Sequence, residues 1–154
     1  TAGVGGNVFS FSNSSQNVFA IEIEKERIEI LKNNLDVYKQ TNVKIICGDA
    51  LIEVPKILDN NCIDIVFFDP PWGGKDYKSF DSLSLLLGNI PVENFILSLY
   101  KNYGLKIKSY VLKLPLNFSQ EALHKLKKRF ITFLSSNIYI RAKIKIIKIH
   151  VVKR

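Results

Sequence analysis

Residues 62–72 are Cys62-Ile63-Asp64-Ile65-Val66-Phe67-Phe68-Asp69-Pro70-Pro71-Trp72, a run of strand length that stops abruptly. The end of the run is continuously apolar, which is typical of a strand covered on both faces of a sheet. Two prolines then end it, because neither has a backbone N–H with which to continue a ladder. In open α/β sheets ligands bind at the carboxyl ends of strands, so the acid, the prolines and the tryptophan form a candidate site.

Apolar runs alternate with amphipathic helical patterns on both sides of this stretch. This alternation predicts an α/β fold with a mostly parallel sheet, organised as a single domain over residues 1–154. The predicted strands are 18–23, 43–47, 62–68 and 109–114; the predicted helices are 25–38, 50–54, 92–100 and one capped by Ser119 that ends at Arg129. Two C-terminal segments, 131–140 and 142–152, are predicted to form an antiparallel pair. The stretch 72–89 is the longest irregular piece, and such loops are often functional.

The chain opens on Thr1-Ala2-Gly3-Val4-Gly5-Gly6-Asn7, a glycine loop of the kind that follows a strand. No residues before Thr1 supply that strand. In a doubly wound sheet the first strand is central. We therefore expect a chain that is truncated at its N-terminus and lacks the first central strand.

Charge is distributed unevenly along the chain. Residues 101–154 hold 14 of the 22 lysines and arginines but one of the 14 acidic residues, Glu121. A concentrated positive field favours a polyanionic partner, although a solvated basic surface explains it equally well. Residues 141–148 alternate basic and apolar side chains, which first indicates a strand with one wet face and only second a track for RNA.

Three consecutive strand ends carry residues suited to a nucleotide-like ligand. The loop with Gly3, Gly5, Gly6 and Asn7 allows a ligand to approach the backbone, and the helix after it presents free N–H groups. Glu22 follows the next strand, where a carboxylate can accept hydrogen bonds from both ribose hydroxyls. Asp49 follows the third, where it can face the amino group of adenine. The combination is far more specific than any one of its members.

Asp69 and Pro70 place two hydrogen-bond acceptors side by side, a carboxylate and a carbonyl. The lone pair of an amine on a nucleobase is delocalised into the ring, which makes the amine a poor nucleophile. Two acceptors on its N–H groups can orient the nitrogen and raise its electron density as it attacks a methyl group in line. Trp72 offers an aromatic face on which the base can stack.

Together, residues 1–7, Ala20-Ile21-Glu22, Gly48-Asp49 and residues 69–77 resemble the trimethylguanosine synthase family of RNA cap guanine-N2 methyltransferases. The resemblance covers roughly residues 1–117 and is most specific at Pro-Pro-Trp-Gly-Gly-x-x-Tyr. It implies a Rossmann-like class I methyltransferase fold, S-adenosylmethionine as cofactor, and methyl transfer to the N2 amine of 7-methylguanosine in RNA caps. The implied partner is capped RNA (snRNA, snoRNA or mRNA).

The resemblance also implies roles for particular residues. Asp69 and Pro70 would be catalytic; Trp72 would stack the cationic cap base, as tryptophan is the best aromatic partner for a cation. Substrate contacts would come from Tyr77, Asn34 and Asn117. The cofactor-binding residues would be Gly3, Gly5, Gly6, Asn7, Glu22 and Asp49.

The sequence departs from the family at Leu116, where members commonly have an arginine that contacts cap phosphates; Lys113 or the basic surface beyond it can substitute. Two alternatives stay open. One is a methyltransferase for an internal RNA guanine or a DNA adenine, and the other is an inactive RNA-binding module.

Other features bound the function. Cys47 and Cys62 lie in apolar runs, without the spacing of metal ligands, and are expected to be buried thiols. His124 and His150 have no partner at a telling spacing, so no metal site is predicted. The absence of a long apolar run and of a basic-then-apolar leader predicts an intracellular protein without a membrane span, expected to be monomeric.

Overall fold

The computed structural model describes residues 1–130, 139–141 and 144–150. Their contacts form two compact units, Thr1–Lys56 and Ile57–Arg154, and the division falls within a helix. The expectation of a single domain stays a prediction. Among the described helices, none combines the length and the apolar character that a membrane span requires.

The first unit is built on two parallel strands and the helices that follow them. The elements are α1 (Gly6–Ser12), β1 (Val18–Glu22), α2 (Lys25–Val37), β2 (Val43–Cys47) and α3 (Ala50–Asn60), which continues past the division. Val18 lies opposite Val43 and Glu22 opposite Cys47, so both strands end at the same edge. The core forms because α2 buries a face of helical spacing against β1 and α1. Its buried members are Val8, Ala20, Leu31 and Leu35.

The second unit contains a mixed four-stranded sheet. Its elements are β3 (Ile63–Phe68), a 3₁₀ helix (Lys75–Ser79), β4 (Leu86–Leu87), β5 (Ile90–Pro91), α4 (Val92–Tyr103), a 3₁₀ turn (Gly104–Lys106), β6 (Ile107–Pro115), α5 (Gln120–Phe130), β7 (Tyr139–Arg141) and β8 (Ile144–His150). The order across the sheet is β3-β6-β8-β7. Strands β3 and β6 are parallel, and the two other pairs are antiparallel.

Strand β6 is central in this sheet, because β3 pairs along one side of it and β8 along the other. Its side chains Tyr110, Leu112 and Leu114 are fully buried, as are Ile96 of α4 and Ile149 of β8. Helix α5 begins where predicted, since the N–H of Ala122 donates a hydrogen bond of 3.2 Å to Oγ of Ser119. The end of β3 is therefore paired with a strand whose inward side chains are fully buried.

Most predicted elements are confirmed, including the α/β class and the antiparallel C-terminal pair within the described residues. Residues 131–138, 142–143 and 151–154 of the predicted C-terminal segments lie outside them. The helix predicted over 50–54 begins at Ala50 as expected but is longer than predicted. Helix α3 continues through Pro55 to Asn60 because Val54 and Leu58, four residues apart, are both buried.

One burial prediction was wrong in part, and another was wrong. Strand β3 is buried at its end, at Phe68, but Ile65 is 52% exposed, since β3 is an edge of its sheet. Cys47 and Cys62 are exposed rather than buried. Cys47 is the last residue of β2 and Cys62 precedes the first residue of β3, and side chains at strand ends have fewer neighbours.

Candidate functional site

The glycine loop of the first unit is hydrogen-bonded to both β1 and α2. The backbone N–H of Ala2 donates to the Ile21 carbonyl at 2.8 Å, which ties the loop to β1. The side-chain amide of Asn34 donates to the Val4 carbonyl at 2.8 Å, which ties it to α2. Asn34 thus supports the glycine loop, a role that the sequence did not suggest.

Gly5 has a φ of 103° and precedes α1 as its N-cap residue. A Cβ at this position would lie 2.6 Å from Cδ1 of Leu31, so both conformation and space require glycine. At Gly3 and Gly6 a Cβ would meet no atom within 4 Å, so open space borders the loop there. Asn7 lies in the first turn of α1 and is partly buried. A loop with open space on one side and helix N–H groups beside it fits a nucleotide-like ligand.

Glu22 is a buried carboxylate, 3% exposed, at the carboxyl end of β1. Its Oε2 accepts a hydrogen bond of 2.7 Å from the N–H of Gly3, and its Oε1 accepts two, from Ile23 at 3.0 Å and Glu24 at 3.2 Å. Burial raises the pKa of Glu22, but the backbone hydrogen bonds from Gly3, Glu24 and Ile23 favour the ionised form, and the pKa lies below its ordinary value. Glu22 is therefore an ionised acceptor that the backbone holds in one orientation.

Asp49 begins α3 as its cap. Its Oδ1 accepts a hydrogen bond of 2.9 Å from the N–H of Leu51, and its carbonyl accepts from Ile52 at 3.0 Å and Glu53 at 2.8 Å. Capping fixes the side chain at the end of β2, next to Gly48. Because Glu22 and Cys47 are opposite each other in register, Glu22 and Asp49 lie at the same edge of this sheet.

In the second unit, Asp69 and Pro70 follow β3 directly, and Pro70 is buried. Oδ2 of Asp69 lies 2.7 Å from Nζ of Lys113, and both side chains are largely buried, 21% and 27% exposed. The parallel register explains the contact, because Phe68 is opposite Leu112 and the next residue of each strand is one of this pair. Lys113 is thus committed to Asp69 rather than standing in for a phosphate contact.

Trp72 and Tyr77 form an aromatic pair with ring centroids 5.2 Å apart and ring planes inclined by 68°. The ammonium group of Lys78 lies 5.6 Å from the centroid of the Tyr77 ring. The indole N–H of Trp72 is buried and has no acceptor among the described residues. The two rings thus meet edge to face, which is a favoured geometry for aromatic pairs.

Asn117 holds this aromatic loop in place. Its side-chain amide donates two hydrogen bonds of 2.7 Å, one to the Tyr77 carbonyl and one to the Phe80 carbonyl. The loop is fixed again at Leu83, whose N–H donates to the Asn117 carbonyl at 2.8 Å and whose carbonyl accepts from Ser119 at 2.9 Å. Both amide protons of Asn117 are therefore used within the protein, and a direct substrate contact is left to its oxygen alone.

The structure thus brings the predicted residues together in two groups. The first unit assembles Gly3, Gly5, Gly6, Asn7, Glu22 and Asp49, with Asn34 behind the loop. The second assembles Asp69, Pro70, Trp72, Tyr77 and Asn117. Sequence reasoning missed the contact of Lys113 with Asp69, because that contact depends on the register of β3 and β6, which no local pattern shows. Among the described residues, no group of three side chains could hold a metal ion.

Known proteins resemble this chain in sequence and in fold. The uncharacterized protein L320 of Acanthamoeba polyphaga mimivirus is 41% identical over 119 residues, covering 77% of this chain and 45% of that protein. Trimethylguanosine synthase of Schizosaccharomyces pombe is 33% identical over 87 residues, covering 54% of this chain and 36% of that protein. The chain thus spans less than half the length of both curated relatives.

Solved structures share the fold at low sequence identity. An rRNA methylase from Streptococcus thermophilus superposes with a TM-score of 0.63 at 10% identity, covering 99% of this chain and 84% of that one. TrmK of M. capricolum, in complex with S-adenosylhomocysteine, gives 0.54 at 18% identity, covering 95% and 57%. The fold is that of the class I, S-adenosylmethionine-dependent methyltransferases. Residues 1–152 match the family described as RNA cap guanine-N2 methyltransferase, and the chain belongs to that family.

Proposed function

We propose that this protein transfers a methyl group from S-adenosylmethionine to the N2 amine of 7-methylguanosine in RNA caps. The observation that carries the proposal is the position of the Trp72–Tyr77 aromatic pair directly after Asp69 and Pro70. One short segment thereby offers a stacking face and two acceptors for an amine. Family membership and the partial match to a trimethylguanosine synthase support the same reaction.

The first unit fits the cofactor. Oε2 of Glu22 has one lone pair beyond its bond to Gly3, which suits a ribose hydroxyl. Oε1 already accepts two backbone bonds, so we assign the ribose contact to Oε2 rather than to both oxygens. Asp49 accepts from Leu51 through Oδ1, so its Oδ2 is assigned to the adenine amine. The bound cofactor supplies an electrophilic methyl group.

The protein's own part in the reaction is binding and orientation. Trp72 stacks a base that 7-methylation has made cationic, and cation–π attraction favours that base over unmethylated guanine. The Pro70 carbonyl accepts one N–H of the N2 amine and the Asp69 carboxylate accepts the other. An amine so held points its lone pair in one direction, which lowers the entropic part of the barrier to in-line attack.

Methyl transfer to a short cap analogue tests the proposal. Incubation with S-adenosylmethionine and a 7-methylguanosine cap dinucleotide should add one or two methyl groups at N2, detected by mass spectrometry. The same dinucleotide without the 7-methyl group is the matched control and should react far more slowly. Equal rates on both would favour a methyltransferase for an internal RNA guanine. Calorimetry that finds no binding of S-adenosylhomocysteine would contradict the enzymatic assignment and favour an RNA-binding module.

A further inference from the structure

Two lysine–aspartate pairs join β3 to β6, and they differ mainly in burial. Asp64 pairs with Lys108 near the start of the strands, with side chains 75% and 72% exposed. Asp69 pairs with Lys113 just past the paired residues, with side chains 21% and 27% exposed. Each pair follows an opposed pair of the parallel register by one residue, Ile63 with Ile107 and Phe68 with Leu112. The exposed pair, Asp64 with Lys108, can therefore serve as a control for the less exposed pair, Asp69 with Lys113.

The two residues after Asp69 limit which backbone groups can hold its carboxylate. An aspartate in a turn commonly accepts a hydrogen bond from the backbone N–H two residues later. Here the next two residues are Pro70 and Pro71, which have no N–H. The bond from two residues later that holds the Asp49 carboxylate therefore has no counterpart at Asp69. The ammonium group of Lys113, at 2.7 Å, supplies a charge-assisted hydrogen bond from the neighbouring strand.

We propose that Lys113 is a positioning residue for methyl transfer, which holds the Asp69 carboxylate in the orientation that accepts the substrate amine. The inference rests on the proposed function, because it assigns Lys113 a part in that same reaction. Lys113 lies on β6 between Leu112 and Leu114, which are both fully buried. The backbone from which its side chain extends is therefore well fixed. Loss of the ammonium group would leave the carboxylate largely buried and less well oriented.

Steady-state kinetics with the cap dinucleotide tests this role. Lys113→Gln should lower kcat by roughly tenfold or more while KM changes by less than about threefold, since orientation matters most in the transition state. Lys113→Arg should recover much of the loss, because a guanidinium also donates to a carboxylate. Lys108→Gln removes the exposed pair between the same strands and should leave both constants near wild type.

A double-mutant cycle identifies the group through which Lys113 acts. Asp69→Asn alone should lower kcat, and adding Lys113→Gln to it should cause little further loss, since the two residues act as one unit. Independent losses that multiply would overturn the proposal, as would a wild-type kcat in a folded Lys113→Gln variant. Wild-type protein that binds S-adenosylhomocysteine but methylates no capped substrate would instead count against the proposed function. Thermal unfolding of each variant verifies that it is folded.

Discussion

The backbone N–H of Gly3 donates a hydrogen bond of 2.7 Å to Oε2 of Glu22, across 19 residues of chain. This bond therefore links the glycine loop directly to the acid at the end of β1. We expect Glu22→Gln to weaken S-adenosylhomocysteine binding by at least tenfold in calorimetry. A glutamine presents one acceptor and one donor group, and the donor cannot face the N–H of Gly3 or of Ile23 and Glu24. Glu26→Gln, an exposed change in α2, should bind as wild type does.

Glu22 should also make stability depend on pH. Its folded pKa lies below the ordinary value, so the unfolded chain binds a proton more readily than the folded one. The carboxylate therefore contributes stability above the unfolded pKa, and that contribution is lost as the pH falls through the folded pKa. Urea unfolding of wild type and Glu22→Gln should show a stability difference that is full at pH 7 and shrinks in the acid range. A difference independent of pH would contradict the assignment.

Gly5 should tolerate no side chain. Gly5→Ala places a Cβ at a φ of 103° and 2.6 Å from Leu31, so we expect a loss of about 1–3 kcal/mol in the free energy of unfolding. Gly6→Ala is the matched control, because it is the first residue of α1 and its Cβ would meet no atom within 4 Å. Similar effects of both changes in urea unfolding would contradict the requirement for glycine at position 5.

Trp72 is the only tryptophan, so its fluorescence reports on its own surroundings. Addition of 7-methylguanosine cap dinucleotide should quench it if the base stacks there. Trp72→Ala should weaken cap binding in calorimetry by roughly 1–3 kcal/mol. Trp72→Phe should retain part of the affinity, and it removes a buried N–H that has no acceptor among the described residues. Unchanged affinity in Trp72→Ala would exclude the stacking role.

Asn117 should support the aromatic loop rather than chiefly bind the substrate. Asn117→Ala removes two hydrogen bonds of 2.7 Å to the Tyr77 and Phe80 carbonyls and should cost about 1–3 kcal/mol in stability. The near-ultraviolet circular dichroism of the Trp72–Tyr77 pair should weaken as well. Asn102→Ala, which loses one exposed bond of 3.5 Å, is the control. Reduced cap affinity without either change would indicate direct contact instead.

The sequence predicts the fold well wherever local patterns decide it. Apolar runs and helical spacing give β1, α2 and β2 within one residue at each end, because each pattern reflects one buried face. The length of α3 was not predicted: the helix passes through Pro55 to Asn60, since burial of Val54 and Leu58 outweighs the hydrogen bond that a proline cannot donate. Exposure of Cys47 and Cys62 was missed because their apolar neighbours suggested burial, whereas both lie at strand ends, where side chains have fewer neighbours.

For the site residues too, local patterns could be predicted from the sequence and contacts between distant segments could not. Strand ends before Glu22, Asp49 and Asp69 are visible in the sequence, and so is the chemistry of the side chains placed there. Partners from distant segments are not visible. Lys113 meets Asp69 only because β3 and β6 adopt one particular register, and Asn117 reaches Tyr77 only because the loop folds back over it.

The double attachment of the loop by Asn117 and Leu83 has a consequence for affinity. A loop of irregular structure normally loses conformational freedom when a ligand orders it, and that loss is subtracted from the binding free energy. Here the ordering of residues 77–83 is completed when the protein folds. A cap base that contacts Tyr77 would therefore meet a residue whose backbone is already in place, and little binding free energy would be lost in ordering it.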